Sequence, residues 1–390
     1  MDIVNRFMFI ILSCIVAIFY LNVPIYLDSI FLHSMTIVLQ IVLFSLVFIY
    51  GVINIKLIGL SYSFIFVYFL FLLISLIYYM DYPDDFGLQG FHDFYLMLVF
   101  IFAFLCFFSV SLNKQYQVLP IFKYITIFAV VANYLDFFGK GSFFIKPDDF
   151  GSRAAGFFVN PNKAAEGILL SMCLSIYVIP VKWRVPYAFF CLSGIILTFS
   201  RGGMMAWLLV YTFWLFKGVI GRKIGLVSFL AVGFFSGSLA LFFDTFSSYV
   251  DLSLLQSRIS FFSGDQVSKS IADDSRVGLA EAAFRLFMEH PILGNGSLSL
   301  MRMGSDQQSH NEYLAMLSDY GILGFILYFV LLYTVFAGKR LFSGVLLFVL
   351  FWGVFAHDML ASYVFIIAFS LICIYPVTRG QGALGSFVKV

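Results

Sequence analysis

The sequence predicts an all-α, polytopic integral membrane protein of about twelve transmembrane helices, with one large external loop containing an amphipathic helix. Three observations carry this. Of 390 residues, 62% are hydrophobic and only 11% are charged, where soluble domains run near a quarter charged. Phenylalanine alone supplies 52 residues, and mean hydropathy is +0.99. The apolar stretches recur at lengths close to the ~20 residues that a helix needs to cross the hydrocarbon core.

Apolar runs bounded by charges, Gly or Pro fall at roughly 7–23, 30–53, 59–80, 93–112, 117–138, 163–180, 184–199, 203–220, 224–243, 314–337, 341–356 and 359–377. No internal repeat, low-complexity tract or soluble domain divides them, so 1–390 reads as a single membrane domain. The first run follows Asp2 and Arg6 and has no small-residue cleavage site after it, which makes it a retained helix rather than a signal peptide. The five cysteines all lie in apolar runs without a CxxC or Cys/His pairing, and they read as small core residues.

Charge sets the orientation. With both termini cytoplasmic, 13 basic residues from Arg6 to Lys389 and a single acid, Asp2, fall on inner loops and ends, leaving 10 basic and 20 acidic residues outside. The one long polar interruption, 244–309 between spans nine and ten, is then external. It holds 5 basic and 8 acidic residues. Within it Asp273-Asp274-Ser275 is a helix start, since short acceptors and negative charge suit unpaired N–H groups at the positive end of a helix. The helix runs from Arg276 to about Glu289, and His290-Pro291 with Gly294-Asn295-Gly296 ends it. Val277, Ala280, Ala283, Phe284 and Phe287 recur at spacings of three and four, giving a face that rests on lipid or on the bundle. Arg276 and Arg285, nine positions apart, point to opposite sides.

Three places carry candidate chemistry. His310 and Asn311 stand just before a helix that starts at Glu312. The positive end of that helix disfavours an imidazolium, so His310 stays neutral and can accept a proton as a general base; an interfacial histidine capping the helix is the plainer alternative. Arg201, in Thr198-Phe199-Ser200-Arg201-Gly202-Gly203, lies between two apolar runs at or just below the outer surface. An arginine at bilayer depth costs about 2.5–3.5 kcal/mol on insertion scales and calls for a partner or an anionic ligand. Its donor fork matches phosphate oxygens, and snorkelling to headgroups is the structural alternative. Arg153 precedes Asn160-Pro161-Asn162, which is a turn and helix-start signal in its own right.

In their order and common placement on one membrane side, these motifs resemble the O-antigen ligase and polymerase family, integral membrane glycosyltransferases of bacterial surface polysaccharide assembly. The matching pieces are Arg153-Ala-Ala-Gly-Phe-Phe-Val-Asn160-Pro161-Asn162, Ser200-Arg201-Gly202-Gly203, Arg276 with Glu289-His290-Pro291-Ile292-Leu293-Gly294-Asn295-Gly296, and His310-Asn311-Glu312-Tyr313-Leu314 with Gly321 and Gly324. They span about residues 150–330. The resemblance implies inverting, metal-independent and cofactor-free transfer of a glycan from an undecaprenyl-diphosphate carrier to an acceptor hydroxyl. On this sequence His310 would be the catalytic base and Arg201 and Arg276 would hold the diphosphate, with Arg153, Asn160, Asn162 and Asn311 in support. The implied partners are the carrier-linked oligosaccharide, a glycan or lipid A core acceptor, and membrane lipids, with no nucleic acid. The implied location is the bacterial inner membrane, with the site facing the periplasm.

The net acidity of 244–309 and the Phe-rich, Lys-poor exterior tilt the choice toward a polymerase, because a ligase must meet the phosphates of the lipid A core. A lipid-linked sugar flippase would bury charge in mid-span around a central pathway and show related halves, and neither is visible in the sequence. The orientation is checked by cysteine labelling in a chain freed of its native cysteines. A cysteine at Ser268 should react with a membrane-impermeant maleimide added outside, and one at Lys339 only after the membrane is opened.

Overall fold

The computed structural model describes residues 2–31, 35–81, 83–139, 143–144, 153–241, 275–305, 308–356 and 358–376. All regular structure among them is helical. In chain order the helices are α1 Asp2–Tyr20, α2 Val23–Phe31, α3 Met35–Ile53, α4 Tyr62–Asp81, α5 Asp85–Asn113, α6 Leu119–Phe138, α7 Pro161–Ser175, α8 Val181–Leu197, α9 Arg201–Lys217 and α10 Arg222–Leu241. They continue with α11 Ser275–Glu289, α12 Ser299–Arg302, α13 Glu312–Phe336, α14 Ser343–Trp352 and α15 Tyr363–Ile374. The expected external loop up to residue 274, including Asp273 and Asp274, lies outside the described residues.

Among the described residues, six helices are long and apolar enough to cross a bilayer: α1, α3, α4, α5, α6 and α13. Several other runs resolve into shorter helices, and burial explains two of them. Every residue of α7 from Ala164 to Ser175 is buried, as is every residue of α15 from Tyr363 to Ile372. A helix that is apolar all round belongs in the middle of a bundle. α7 packs against α6, α8, α9, α14 and α15, and α15 against α1, α5 and α13. The run at 163–180 ends in a 3₁₀ turn at Ile176–Val178, and the run at 359–377 begins with one at Met359–Ala361. Short α2, which periodicity alone did not separate from its neighbours, packs on α3 and on the turn Gly156–Phe158.

Several polar groups inside the bundle are paired across helices, which a medium without water favours. Tyr20 Oη donates to the Gly167 carbonyl at 3.1 Å, Trp207 Nε1 to that of Ala188 at 2.9 Å, and Asn54 Nδ2 to Asn5 Oδ1 at 3.0 Å.

The longest departure from regular helix is in α13, which breaks at Gly321 (φ 62°, ψ −162°). The break frees backbone groups that the preceding segment takes up. The N–H groups of Asn295 and Gly296 donate to the carbonyls of Ser318 and Asp319 at 2.9 and 2.8 Å, and Ile322 N–H donates to the Pro291 carbonyl at 2.9 Å. Backbone lies directly on backbone here. A Cβ on Gly321 would sit 2.4 Å from the Ile292 carbonyl oxygen, and one on Gly294 (φ 81°) 2.5 Å from the Asp319 backbone. The expected motif at 289–296 and the expected Gly321 are thus two halves of one contact.

α11 occupies the range the sequence predicts, and only part of its predicted apolar face meets the bundle. Ala283 and Leu286 are buried against Leu300 of α12 and Leu314 of α13, whereas Val277 and Phe284 are exposed. The small residue and the leucine fit the close helix contact, and the larger apolar groups point away from it.

Gly321→Ala should lower stability by at least about 2–4 kcal/mol, combining left-handed strain with a backbone clash. Gly278→Ala, in α11 with open space around its Cβ, should instead be neutral or gain about 0.5–1 kcal/mol. Thermal unfolding of the purified protein in detergent distinguishes the two.

Candidate functional site

Four helix termini meet at one end of the bundle: the starts of α7, α9 and α13 and the end of α14. Each start has its own cap. Asn160 accepts from Asn162 N–H at 2.8 Å, Ser200 from Gly203 N–H at 3.2 Å, and Asn311 from Leu314 N–H at 3.1 Å. The chain enters two of these helices through residues with positive φ, Val159 (63°) and Phe199 (50°). A β-branched or aromatic residue in this region is strained, and such strain clusters where a site is held in place.

Between these ends lies a cleft lined by Arg153, Asn162, Phe199, Ser200, Arg201, Gly202, Trp352 and Phe355. Arg153 is half-buried and fixed, with Nε donating to the Thr198 carbonyl at 2.9 Å and a terminal nitrogen to Asn162 Oδ1 at 3.1 Å. Its turn is pinned from behind by buried Asp136 of α6, whose Oδ2 accepts from the N–H groups of Ala155 and Gly156 at 2.7 and 3.0 Å. Arg201 is the first residue of α9, where the positive helix end adds to its own charge. Arg153, Arg201 and the start of α9 thus line one cleft, and such a grouping of guanidinium groups with a helix start suits an anion with several oxygens.

Beneath the cleft is a buried polar network. Trp352 Nε1 donates to Glu166 Oε2 at 2.6 Å. Lys163 bonds both oxygens of Glu166 at 3.4 Å and also bonds Asp358. Glu312, fully buried, accepts from Met359 N–H at 3.2 Å, and its own N–H donates to the Gly353 carbonyl at 2.7 Å. Those bonds bring the turn of His310 against the end of α14 that walls the cleft. His310 itself is half-buried, two residues before α13.

Of the residues singled out from the sequence, Arg153, Asn162 and Arg201 share the cleft, and Asn160 and Asn311 act as caps. His310 lies on the adjoining turn. Arg276 is the second residue of α11, and its side chain lies outside the described residues. Arg285 is exposed and edges an open apolar groove with Val277, Phe284 and Leu314.

A comparison with protein families matches part of the chain. Residues 186–329 match the O-antigen ligase family. The matched segment runs from the middle of α8 into α13 and includes Arg201, Arg276 and His310, so the family resemblance drawn from the motifs holds over this stretch. The matched segment leaves out Arg153 and Asn162, which line the cleft, and Asn160, which caps α7. No curated protein matches the chain.

Sequence reasoning missed Asp136, Lys163, Glu166, Trp352 and Asp358. One signal for Glu166 and Asp136 was available: a carboxylate inside an otherwise apolar run needs a partner. The partners come from other helices, and nothing in the spacing names them. Asp136→Ala should strand two buried N–H groups and cost about 2–4 kcal/mol, whereas Asp136→Asn, which keeps one acceptor, should cost less than half of that. Thermal unfolding of the two variants checks the order.

Proposed function

We propose that the chain transfers a glycan from an undecaprenyl-diphosphate-linked donor to an acceptor hydroxyl at the outer face of a bacterial inner membrane, in O-antigen or related surface polysaccharide assembly. The observation that carries this is the two-arginine cleft against the turn of His310, with Arg201 and His310 inside the O-antigen ligase segment. In this proposal the chain crosses the membrane about twelve times, with both termini inside and the cleft facing the periplasm.

His310 takes the acceptor proton as the acceptor oxygen forms its bond to the anomeric carbon. The bond from that carbon to the diphosphate oxygen breaks on the opposite face, which inverts the centre. The leaving diphosphate gains negative charge, and Arg201 and Arg276 neutralise it in a low-dielectric setting where fixed cations act most strongly. Arg153 and Asn162 keep the cleft in shape, while Asn160 and Asn311 hold the helix starts. This chemistry needs neither a metal ion nor a cofactor.

The acidity of 244–309 favours a polymerase, which joins carrier-linked repeat units. The matched family is described as O-antigen ligase, and the alternative to a polymerase is a ligase that joins the glycan to lipid A core. Surface glycolipid from a deletion strain separates the two on a gel: a single repeat on the core for a polymerase, bare core with carrier-linked polymer for a ligase. Loss of all external glycan, with intermediates held inside, would overturn both in favour of a flippase.

His310→Ala should abolish transfer with normal protein in the membrane, and polysaccharide of wild-type length and amount would overturn its role. Arg201→Lys and Arg276→Lys keep the charge but lose the fork, so turnover of carrier-linked donor should fall at least ~10-fold.

A further inference from the structure

We propose that Lys163 is a positioning residue that holds the donor cleft and the turn of His310 in one fixed relation, an inference that rests on the transferase function proposed above. Lys163 sits in the first turn of α7, next to Asn162 of the cleft wall. Its ammonium is engaged within the protein by two carboxylates, contacting both oxygens of Glu166 at 3.4 Å and bonding Asp358. Its charge is thus committed to these acids, although it lies beside the cleft.

Its two partners lead to opposite sides of the site. Glu166 accepts from Trp352, whose ring lines the cleft against α9; a Cβ on Gly202, beside Arg201, would lie 3.6 Å from that ring. Asp358 precedes Met359, whose N–H is held by the carboxylate of Glu312, two residues beyond His310. One side-chain path from the anion cleft to the base thus runs through this ammonium, beside the main-chain bond from Glu312 N–H to the Gly353 carbonyl. Glu312, Glu166 and Asp358 are three carboxyl groups in mutual electrostatic reach, and Lys163 is the cation among them. Removing it takes away both the link and the charge that compensates these acids.

The test separates positioning from binding and from bulk stability. It uses the full chain in nanodiscs with a synthetic undecaprenyl-diphosphate-linked repeat unit, and it measures turnover, donor KM, thermal unfolding and amide exchange. Lys163→Met should lower kcat at least ~10-fold with donor KM within ~3-fold, and Lys163→Arg, which keeps the cation, should recover most of the loss. The double variant Lys163→Met/Glu166→Gln removes one of the three uncompensated acids but not the break from Asp358. It should regain stability while kcat stays low. Independently of turnover, the amides of Glu312 and Met359 should exchange at least ~10-fold faster in Lys163→Met than in the wild type. A raised KM at unchanged kcat would make Lys163 a donor ligand and overturn the proposal, as would full recovery of kcat in the double variant or unchanged exchange at both amides. A wild-type protein that does not turn over the donor would count against the transferase function, and the exchange measurement would still decide the structural link.

Discussion

A carboxylate removed from water must be given donors by the protein itself, and in a chain this apolar few donors are at hand. Among the described residues four carboxylates are buried, Asp136, Glu166, Glu312 and Asp319, and all four lie at the same end of the bundle. Asp136 takes two backbone N–H groups from the turn after α6, and Glu166 takes an indole and an ammonium. Glu312 takes the N–H of Met359. Asp319 takes the N–H groups of Leu298 and Ser299 and the hydroxyl of Ser299. Asp136, Glu312 and Asp319 each fix a piece of irregular backbone to a helix, and Glu166 joins α7 to the end of α14. The cleft exists because these four attachments hold turns and helix starts together where the bilayer would otherwise favour uninterrupted helix.

The same economy explains how the two sides of the candidate site differ. The arginine side is built from local geometry: capped helix starts, a guanidinium bonded to its neighbours, and strained residues leading into α7 and α9. The histidine side is built from distant contacts, since the turn at 309–312 is held by residues 353–359. α7 stands between them, in contact with α6, α9, α14 and α15, which is why its first turn can join both.

How much of this was legible in the sequence follows from the range of each interaction. The helix at 275–289, the start at Glu312 and the Asn160-Pro161-Asn162 cap were readable, because capping and periodicity are properties of adjacent residues. Arg201 was readable as an expensive cation in an apolar setting. The lengths of α7 and α15 were not, because a run that faces protein on all sides looks the same as one that faces lipid until its neighbours are known. The buried face of α11 was only partly legible for a related reason: hydrophobicity marks both the face that meets α13 and the face that meets the surroundings, and only Ala283 and Leu286 fit a close contact. The network under the cleft joins residues nearly two hundred positions apart, such as Glu166 and Trp352, and no local pattern encodes such a pair.

The backbone contact between Gly294 and Gly321 has a further consequence for how this architecture can vary. The segment 291–299 is clasped to 318–323 by main-chain bonds and by Asp319, while residues 353–359 hold the turn of His310 that lies between them in the chain. The chain before α11 can then be lengthened, shortened or exchanged at a modest entropic cost, because closing a longer loop grows only logarithmically more expensive. The clasp thus separates a stretch whose length costs little from one whose backbone is fixed on both sides of the turn of His310.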